Sequence, residues 1–278
     1  MAEIFFNTAP RPKQRQAILD AALQAFPDEF SDLPAVRDYF LRIFVPQSRT
    51  WSYKANGKTG TSSTKRFLFE LEFGIPLTAR FASATDINPD ATSHRLTEAG
   101  LFQPLIAFPR GHRLLPDTLQ LTTVRNPERR ALSAFLYLCV SHDRNHPWFV
   151  DERLRMNAMV RFDWNNDIRT AAGFEKFLDY VAQTIEQAGP DSVDPHWRPL
   201  VPSIKPNVFQ ADLIGRTEDL GTFYKSVAER LDRKLPDNWS VPHANKNSGE
   251  FEGETLLTSS VKSRIEQIYR ADFEAFGY

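Results

Sequence analysis

One stretch near the start of the chain, WSYKANGKTGTSSTKRF at residues 51–67, joins a short strand pattern to a helical pattern through a polar loop. The loop reads Gly57-Lys58-Thr59-Gly60-Thr61, and the helical pattern ends at Gly74. A strand, a glycine-containing loop and a helix in this order are typical of sites that bind phosphate groups. The usual nucleoside-triphosphate loop has a glycine six residues before its lysine, and here that position is Ser52. The stretch therefore predicts an anion site of a less common kind.

The residue types in this loop suit an anionic ligand. Gly57 and Gly60 allow the backbone to pass close to a bound group, and Lys58 adds a positive charge. Residues 61–64 supply hydroxyl groups and backbone amides at the start of a helix, where the helix dipole attracts anions. The alternative interpretation is a polar turn that only caps the helix.

A net charge of −1 means that no general electrostatic field draws this chain to nucleic acid or to a membrane surface. An anion site must therefore be a local cluster of Lys and Arg side chains. Cys139 is the single cysteine, so no intrachain disulfide can form, which favours a reducing compartment. No apolar run has the length of a signal peptide or a membrane span. The sequence predicts a cytoplasmic protein.

Strand and helix patterns alternate along the chain, and we predict a single α/β domain over residues 1–278. Strands are predicted at 50–55, 118–124 and 208–215. Helices are predicted at 17–26, 35–45, 61–73, 128–142, 173–189, 217–235 and 254–275. This alternation favours a central parallel sheet that is covered by helices on both faces.

A second stretch, VRNPERRALSAF at residues 124–135, carries two more possible phosphate ligands. Arg125 ends a predicted strand, and Ser133 follows two helical turns later. A guanidinium fork and a hydroxyl group there could hold one phosphate. The alternative is that both residues are structural, since an Arg after a strand and a small residue in a helix are common.

Together, these two stretches resemble the sulfotransferases that use 3′-phosphoadenosine 5′-phosphosulfate (PAPS), and most of all the carbohydrate sulfotransferases of the Golgi. Lys58, Ser62, Lys65 and Arg66 keep the spacing of that family's first motif, with Gly57 in place of its proline. Residues 125–135 align without a gap with the second motif, Arg-Asp-Pro-Phe-x-Arg-Leu-x-Ser-Ala-Tyr. Weaker similarities are DPHWRPL at 194–200, DLIGRTEDLGTFYKSV at 212–227 and IYRADFEAFGY at 268–278.

The resemblance implies a fold of the P-loop-containing three-layer class and sulfuryl transfer from PAPS to a hydroxyl group, which we expect to lie on a saccharide. It implies no metal. The 5′-phosphosulfate would be held by the loop residues Lys58, Thr59, Gly60, Thr61, Ser62, Ser63 and Thr64. Arg125 and Ser133 would hold the 3′-phosphate, with Lys246 or Arg130 as the alternatives.

Transfer also requires a base for the acceptor hydroxyl. In the uronyl 2-O-sulfotransferases, the second histidine of a His-Gly-His element is the base, and Arg110-Gly111-His112 matches that element at His112. His112 is therefore the predicted catalytic base, together with Lys58 as the residue that stabilises the leaving phosphate. Glu70 and Glu72 are rival bases, and His196 is expected to be an acceptor contact or a structural residue.

Two other functions remain as alternatives to sulfuryl transfer. A P-loop kinase would use a nucleoside triphosphate, although Ser52 and the lack of an obvious magnesium-binding aspartate oppose it. A non-catalytic module that binds a nucleotide or a sugar would be favoured if His112 were buried and far from the loop. Residues 142–170, which contain Trp148 and Trp164 together with several arginines, are a candidate part of the acceptor cleft.

Overall fold

The computed structural model describes residues 5–6, 12–81, 87–88, 90–108, 110–236, 239–242 and 253–278. Its five strands form one sheet in the order β3-β1-β2-β4-β5. Their bounds are β1 Ile43–Pro46, β2 Trp51–Lys54, β3 Phe102–Pro104, β4 Leu119–Val124 and β5 Leu213–Arg216. Strands β2, β4 and β5 are parallel, with Tyr53 opposite Leu121 and Leu121 opposite Leu213. Strand β1 is antiparallel to both of its neighbours, β2 and β3.

The helices of the described residues lie on both faces of this sheet. Their bounds are α1 Pro12–Ala25, α2 Leu33–Phe40, α3 Thr61–Phe73, α4 Pro127–Asp143, α5 Val150–Val160, α6 Ala171–Ala188, α7 Leu200–Ile204, α8 Leu220–Arg230 and α9 Ser259–Phe276. No helix in the described part of the chain is long and apolar enough to cross a membrane.

One face of the sheet packs on α3 and α8, where the Phe67 and Tyr224 rings stack 4.2 Å apart. The other face packs on α2 and α7, through residues such as Val45 and Ile204. A third cluster joins α4, α5, α6 and α9 around Phe135. The predicted three-layer α/β class with a parallel sheet at its centre is confirmed.

The parallel arrangement of the central strands explains where a ligand can bind. The segments that follow β2, β4 and β5 all leave the sheet at its carboxyl edge, which is where open α/β sheets bind their ligands. The loop at 55–60 follows β2, Arg125 follows β4, and Thr217 follows β5. The fold therefore brings three distant parts of the sequence to one edge.

Some predicted elements differ from the observed ones. The predicted helix at 35–45 ends at Phe40, and β1 begins three residues later, at Ile43. The third predicted strand, 208–215, is reduced to β5 at Leu213–Arg216. The sequence also gave no indication of β3 or α5.

Candidate active site

The loop between β2 and α3 has the backbone of an anion site. Lys58 and Gly60 both adopt left-handed conformations, with φ of 65° and 77°. For Lys58 this conformation costs about 1–2 kcal/mol. Gly60 is the N-cap of α3, and no described side chain caps this end of the helix. The first-turn amides of α3 are thus presented at the carboxyl edge of the sheet, where they favour a negative charge.

Three of the loop hydroxyl groups serve the loop itself. The Thr59 and Thr61 hydroxyls donate to the Asn56 carbonyl at 3.0 and 2.6 Å. The Thr64 hydroxyl donates to the Gly60 carbonyl at 3.1 Å. These bonds fix the shape of the loop, so the hydroxyl groups of Thr59, Thr61 and Thr64 donate to the loop backbone.

The Lys58 side chain points toward α4. Its Nζ lies 4.0 Å from the centre of the Tyr137 ring, a cation–π contact. The Tyr137 ring also lies 5.6 Å from the ring of His196. Lys58 and His196 therefore contact the same aromatic ring, although 138 positions separate them in the sequence.

Gly57 lies directly against the segment that carries His196. A Cβ atom at Gly57 would lie 2.6 Å from both the His196 Cα and the Pro195 carbonyl oxygen. A glycine is required here because no side chain fits between the loop and this segment.

The buried Arg130 side chain bridges the loop and the segment that carries His196. Its Nε donates to the Gly57 carbonyl at 3.0 Å, and one Nη donates to the Pro195 carbonyl at 3.3 Å. This side chain is 1% exposed. Arg130, one of the two alternative 3′-phosphate ligands, thus donates to two main-chain carbonyls, while the other alternative, Lys246, lies outside the described residues.

His196 forms a pair with an aspartate. Its Nδ1 lies 2.7 Å from Asp194 Oδ1, and the same oxygen accepts the His196 backbone N–H at 2.8 Å. Burial by itself would raise the pKa of Asp194. The hydrogen bonds and charge of His196 outweigh that effect, so the pKa of Asp194 lies below its ordinary value. The carboxylate remains ionised and orients the imidazole.

Arg125 and Ser133 take up the positions that the sequence predicted for them. Arg125 lies between β4 and α4, while Ser133 lies on α4 and is 3% exposed. Glu218 orients this junction, since its Oε1 accepts the Asn126 backbone N–H at 2.9 Å. The Thr217 hydroxyl donates to the Val124 carbonyl at 2.9 Å. The segment 212–227 therefore supports the junction that carries Arg125.

The structure does not bring the predicted base, His112, to this edge. His112 lies in the 3₁₀ turn Gly111–Asp117, which leads into the amino end of β4. Its ring packs edge-on against Phe26 at 6.0 Å, and it lines a cavity together with Thr50 and Leu119 at the amino ends of the strands. Burial, followed by the charges of two neighbouring arginines, lowers its pKa. The sheet separates His112 from the loop.

The other predicted residues of α3 also face away from the loop. Glu70 accepts a hydrogen bond from Trp239 at 3.3 Å, and Glu72 accepts one from Ser48 at 3.1 Å. Both follow Thr61 by at least nine residues, which is more than about 13 Å along a helix. Lys65 lies over the Phe44 ring, and Arg66 pairs with Asp90. None of these four side chains is directed at the ligand edge.

Sequence reasoning missed Tyr137 and Asp194 and gave His196 a lesser role. The stretch DPHW contained a usable pattern, because an aspartate two residues before a histidine can hold its imidazole. No local pattern identified Tyr137, whose position depends on how α4 packs.

A family model described as Sulfotransferase family matches residues 56–278. The match begins at Asn56, within the loop, and runs to Tyr278. No curated protein and no solved structure matches the chain significantly.

Proposed function

Because this chain belongs to the sulfotransferase family, and is therefore an enzyme that transfers a sulfuryl group, we propose that its donor is PAPS and its acceptor a saccharide hydroxyl. Members of this family generally use that donor. The match favours sulfuryl transfer over the kinase and over the non-catalytic module. His112 does lie far from the loop, which had favoured the module, but a second histidine, His196, lies next to it.

The observation that carries the proposal is the spacing of two anion-binding elements along one sheet edge. The loop and the start of α3 follow β2, and Arg125 follows the adjacent parallel strand β4. PAPS has two anionic ends, a 5′-phosphosulfate and a 3′-phosphate. The loop amides, Ser62, Ser63 and Lys58 suit the first, and Arg125 with Ser133 suits the second.

The proposed mechanism uses these residues to place and stabilise charge. The donor supplies an activated sulfuryl group. The amides of residues 59–64 hold the phosphosulfate, and Gly57 lets the loop pack against the segment that carries His196. Lys58 stabilises the negative charge that grows on the phosphate as its bond to sulfur breaks. The products are a sulfate ester and adenosine 3′,5′-bisphosphate.

A saccharide acceptor is supported by the aromatic residues next to the loop. Phe149, at the start of α5, lies 5.0 Å from the His196 ring, and Trp148 before it is 40% exposed. Aromatic rings of this kind suit the apolar faces of sugars. These contacts support the proposal that Trp148 and Phe149, within the predicted acceptor segment 142–170, line the acceptor cleft.

The experiment that tests the proposal is incubation with sulfur-labelled PAPS and a panel of saccharides. We expect label to appear in at least one saccharide, with release of adenosine 3′,5′-bisphosphate. A thermal-shift measurement adds a test of the donor, because a ligand raises the melting temperature only if the folded protein binds it. Stabilisation by adenosine 3′,5′-bisphosphate without metal supports the proposal. Stabilisation by Mg-ATP alone, together with no labelled saccharide, contradicts it.

A further inference from the structure

The His196–Asp194 pair lies next to the loop and has the hydrogen-bonding arrangement of a proton acceptor. The carboxylate of Asp194 can only accept hydrogen bonds, so the contact at 2.7 Å places the imidazole proton on Nδ1. The lone pair is then on Nε2, the nitrogen away from the aspartate. The His196 side chain is 31% exposed, so the ring is accessible from solvent.

The ring is held between aromatic side chains. Tyr137 lies 5.6 Å away on one side, Phe149 lies edge-on at 5.0 Å, and Trp197 lies at 6.3 Å. Phe149 adopts a left-handed backbone with φ of 65°, which is rare for a bulky residue. Strained backbone of this type persists where the surrounding packing requires it, often at functional sites. The packing restricts the orientation of the imidazole.

The position of this ring is tied to the donor loop by three contacts. The His196 backbone abuts Gly57, the His196 ring and the Lys58 ammonium both contact the Tyr137 ring, and Arg130 links the Gly57 and Pro195 carbonyls. A group bound at the loop therefore lies next to the imidazole.

We propose that His196 is the general base of the transfer reaction and that Asp194 is its positioning residue, an inference that rests on the proposed sulfuryl transfer. His196 Nε2 takes the proton of the acceptor hydroxyl. The acceptor oxygen forms its bond to sulfur while the bond between sulfur and the bridging oxygen of the 5′-phosphate breaks, and that electron pair leaves with the phosphate. The imidazolium is stabilised by Asp194 and then releases its proton to solvent.

Three variants test this role: His196→Gln, Asp194→Asn and His112→Gln. We expect His196→Gln to lower kcat by about 10²–10⁴-fold, the usual effect of losing a general base. Its affinity for adenosine 3′,5′-bisphosphate, measured by calorimetry, should stay within about threefold of wild type, which shows that the loop is still folded. Asp194→Asn should also lower kcat with little change in that affinity. His112→Gln should keep near-normal turnover.

Chemical rescue separates a base from a structural residue. In His196→Ala, added imidazole should restore part of the turnover on the acceptor that the wild type sulfates best, because it can occupy the space of the lost ring. Imidazole should not restore turnover in Lys58→Ala. A structural role of His196 would give no rescue and a weakened affinity for the bisphosphate.

The outcomes distinguish this inference from the proposed function. If the wild type labels a saccharide but His196→Gln is equally active, the base role is wrong while sulfuryl transfer stands. If His112→Gln loses turnover instead, the base is the histidine that the sequence predicted. If the wild type transfers no label to any saccharide or to water, the proposed function fails, and the base role fails with it.

Discussion

Lys58 combines a left-handed backbone with an ammonium group that contacts the Tyr137 ring. Its φ of 65° is a left-handed conformation, which is strained for a residue other than glycine. The conformation directs the ammonium group across the Tyr137 ring, beside the site that we propose for the phosphosulfate. Backbone strain at this residue thus accompanies a specific side-chain position.

We expect Lys58→Ala to lower kcat more than it weakens donor binding. The charge on the bridging phosphate oxygen grows during the reaction, so a lysine beside it acts mainly on the transition state. Turnover with labelled PAPS measures the loss in kcat, and calorimetry with adenosine 3′,5′-bisphosphate measures the loss in affinity. Lys225→Ala, which removes an exposed lysine from α8, is the matched control. Equal losses in kcat and affinity would show that Lys58 only holds the ground state.

Arg125 should determine the preference for a nucleotide with a 3′-phosphate. A hydrogen bond to a charged group contributes about 1.5–3 kcal/mol, so Arg125→Ala should weaken binding of adenosine 3′,5′-bisphosphate by roughly tenfold to a hundred-and-fifty-fold. Ser133→Ala should cost about 1 kcal/mol, because its hydroxyl is neutral. Binding of adenosine 5′-phosphosulfate, which lacks the 3′-phosphate, should hardly change in either variant.

Calorimetry with both nucleotides measures this difference. The control is Arg129→Ala, since Arg129 carries the same charge four residues later, in the first turn of α4, and its guanidinium pairs with Glu254. If Arg125→Ala weakens both nucleotides equally, Arg125 is structural and the 3′-phosphate binds elsewhere.

At the scale of elements, the site depends on the close approach of the loop to residues 194–196. In Gly57→Ala, the new Cβ would lie 2.6 Å from main-chain atoms of Pro195 and His196, so the loop or the segment must move. We expect a loss of about 1–3 kcal/mol in the free energy of unfolding and at least tenfold lower turnover.

Urea unfolding and the labelled-PAPS assay measure these two losses. Gly74→Ala is the matched control at the other end of α3, since Gly74 has a φ of 70° but no atom within 4 Å of the new Cβ. It should lose stability through backbone strain and keep its turnover. If Gly57→Ala also keeps its turnover, the contact does not position the site.

The elements that the sequence predicted well are those with local signals. Helix α3 begins after Gly60 and ends at Gly74, as expected, because both glycines adopt left-handed backbone conformations that mark helix ends. Strand β4 is recognisable by its β-branched residues. Strand β3 has only three residues, too few for a periodic pattern to appear, and β1 was hidden because the apolar pattern of α2 continues into it.

The site was predictable only where neighbours in sequence are neighbours in space. Lys58, Gly60 and Thr61 follow each other along the chain, and Arg125 and Ser133 share the β4–α4 unit. The contact between Gly57 and Pro195 depends on tertiary packing and on the buried Arg130, which no local pattern reveals. For the same reason, a motif comparison chose His112, although this residue precedes β4 and therefore lies at the amino ends of the strands, not at the ligand edge.

At the scale of the whole molecule, several basic side chains lie in the interior. Lys54, Lys65 and Arg130 are 1–8% exposed. Burial lowers the pKa of all three, because the charged form loses its hydration. The cost of burying the Arg130 charge is offset by its hydrogen bonds to the loop and to Pro195. Lys65 is held mainly over the Phe44 ring, with its Nζ 3.7 Å from the ring centre.

Lys65 should therefore make global stability depend on pH. Burial, and then the charge of Arg42, lower its pKa from 10.5 to about 8 in the folded protein. Between about pH 8 and pH 10.5, the unfolded chain binds one proton more than the folded one, so the free energy of unfolding rises with pH by up to about 1.4 kcal/mol per pH unit. Below pH 8, folding carries the full cost of the buried charge.

Lys65→Met should remove the cost of the buried charge and, with it, the rise in the free energy of unfolding between about pH 8 and pH 10.5. We expect the variant to be more stable than wild type at pH 7, by at most about 3 kcal/mol, since the contact with Phe44 offsets part of the cost. The difference should shrink as the pH is raised from 8 to 9.5. Urea unfolding of both proteins across this range measures it, and Lys225→Met, an exposed lysine, should run parallel to wild type. Parallel curves for Lys65→Met would show that Lys65 stays charged at an ordinary pKa, and that the Phe44 ring compensates for its burial.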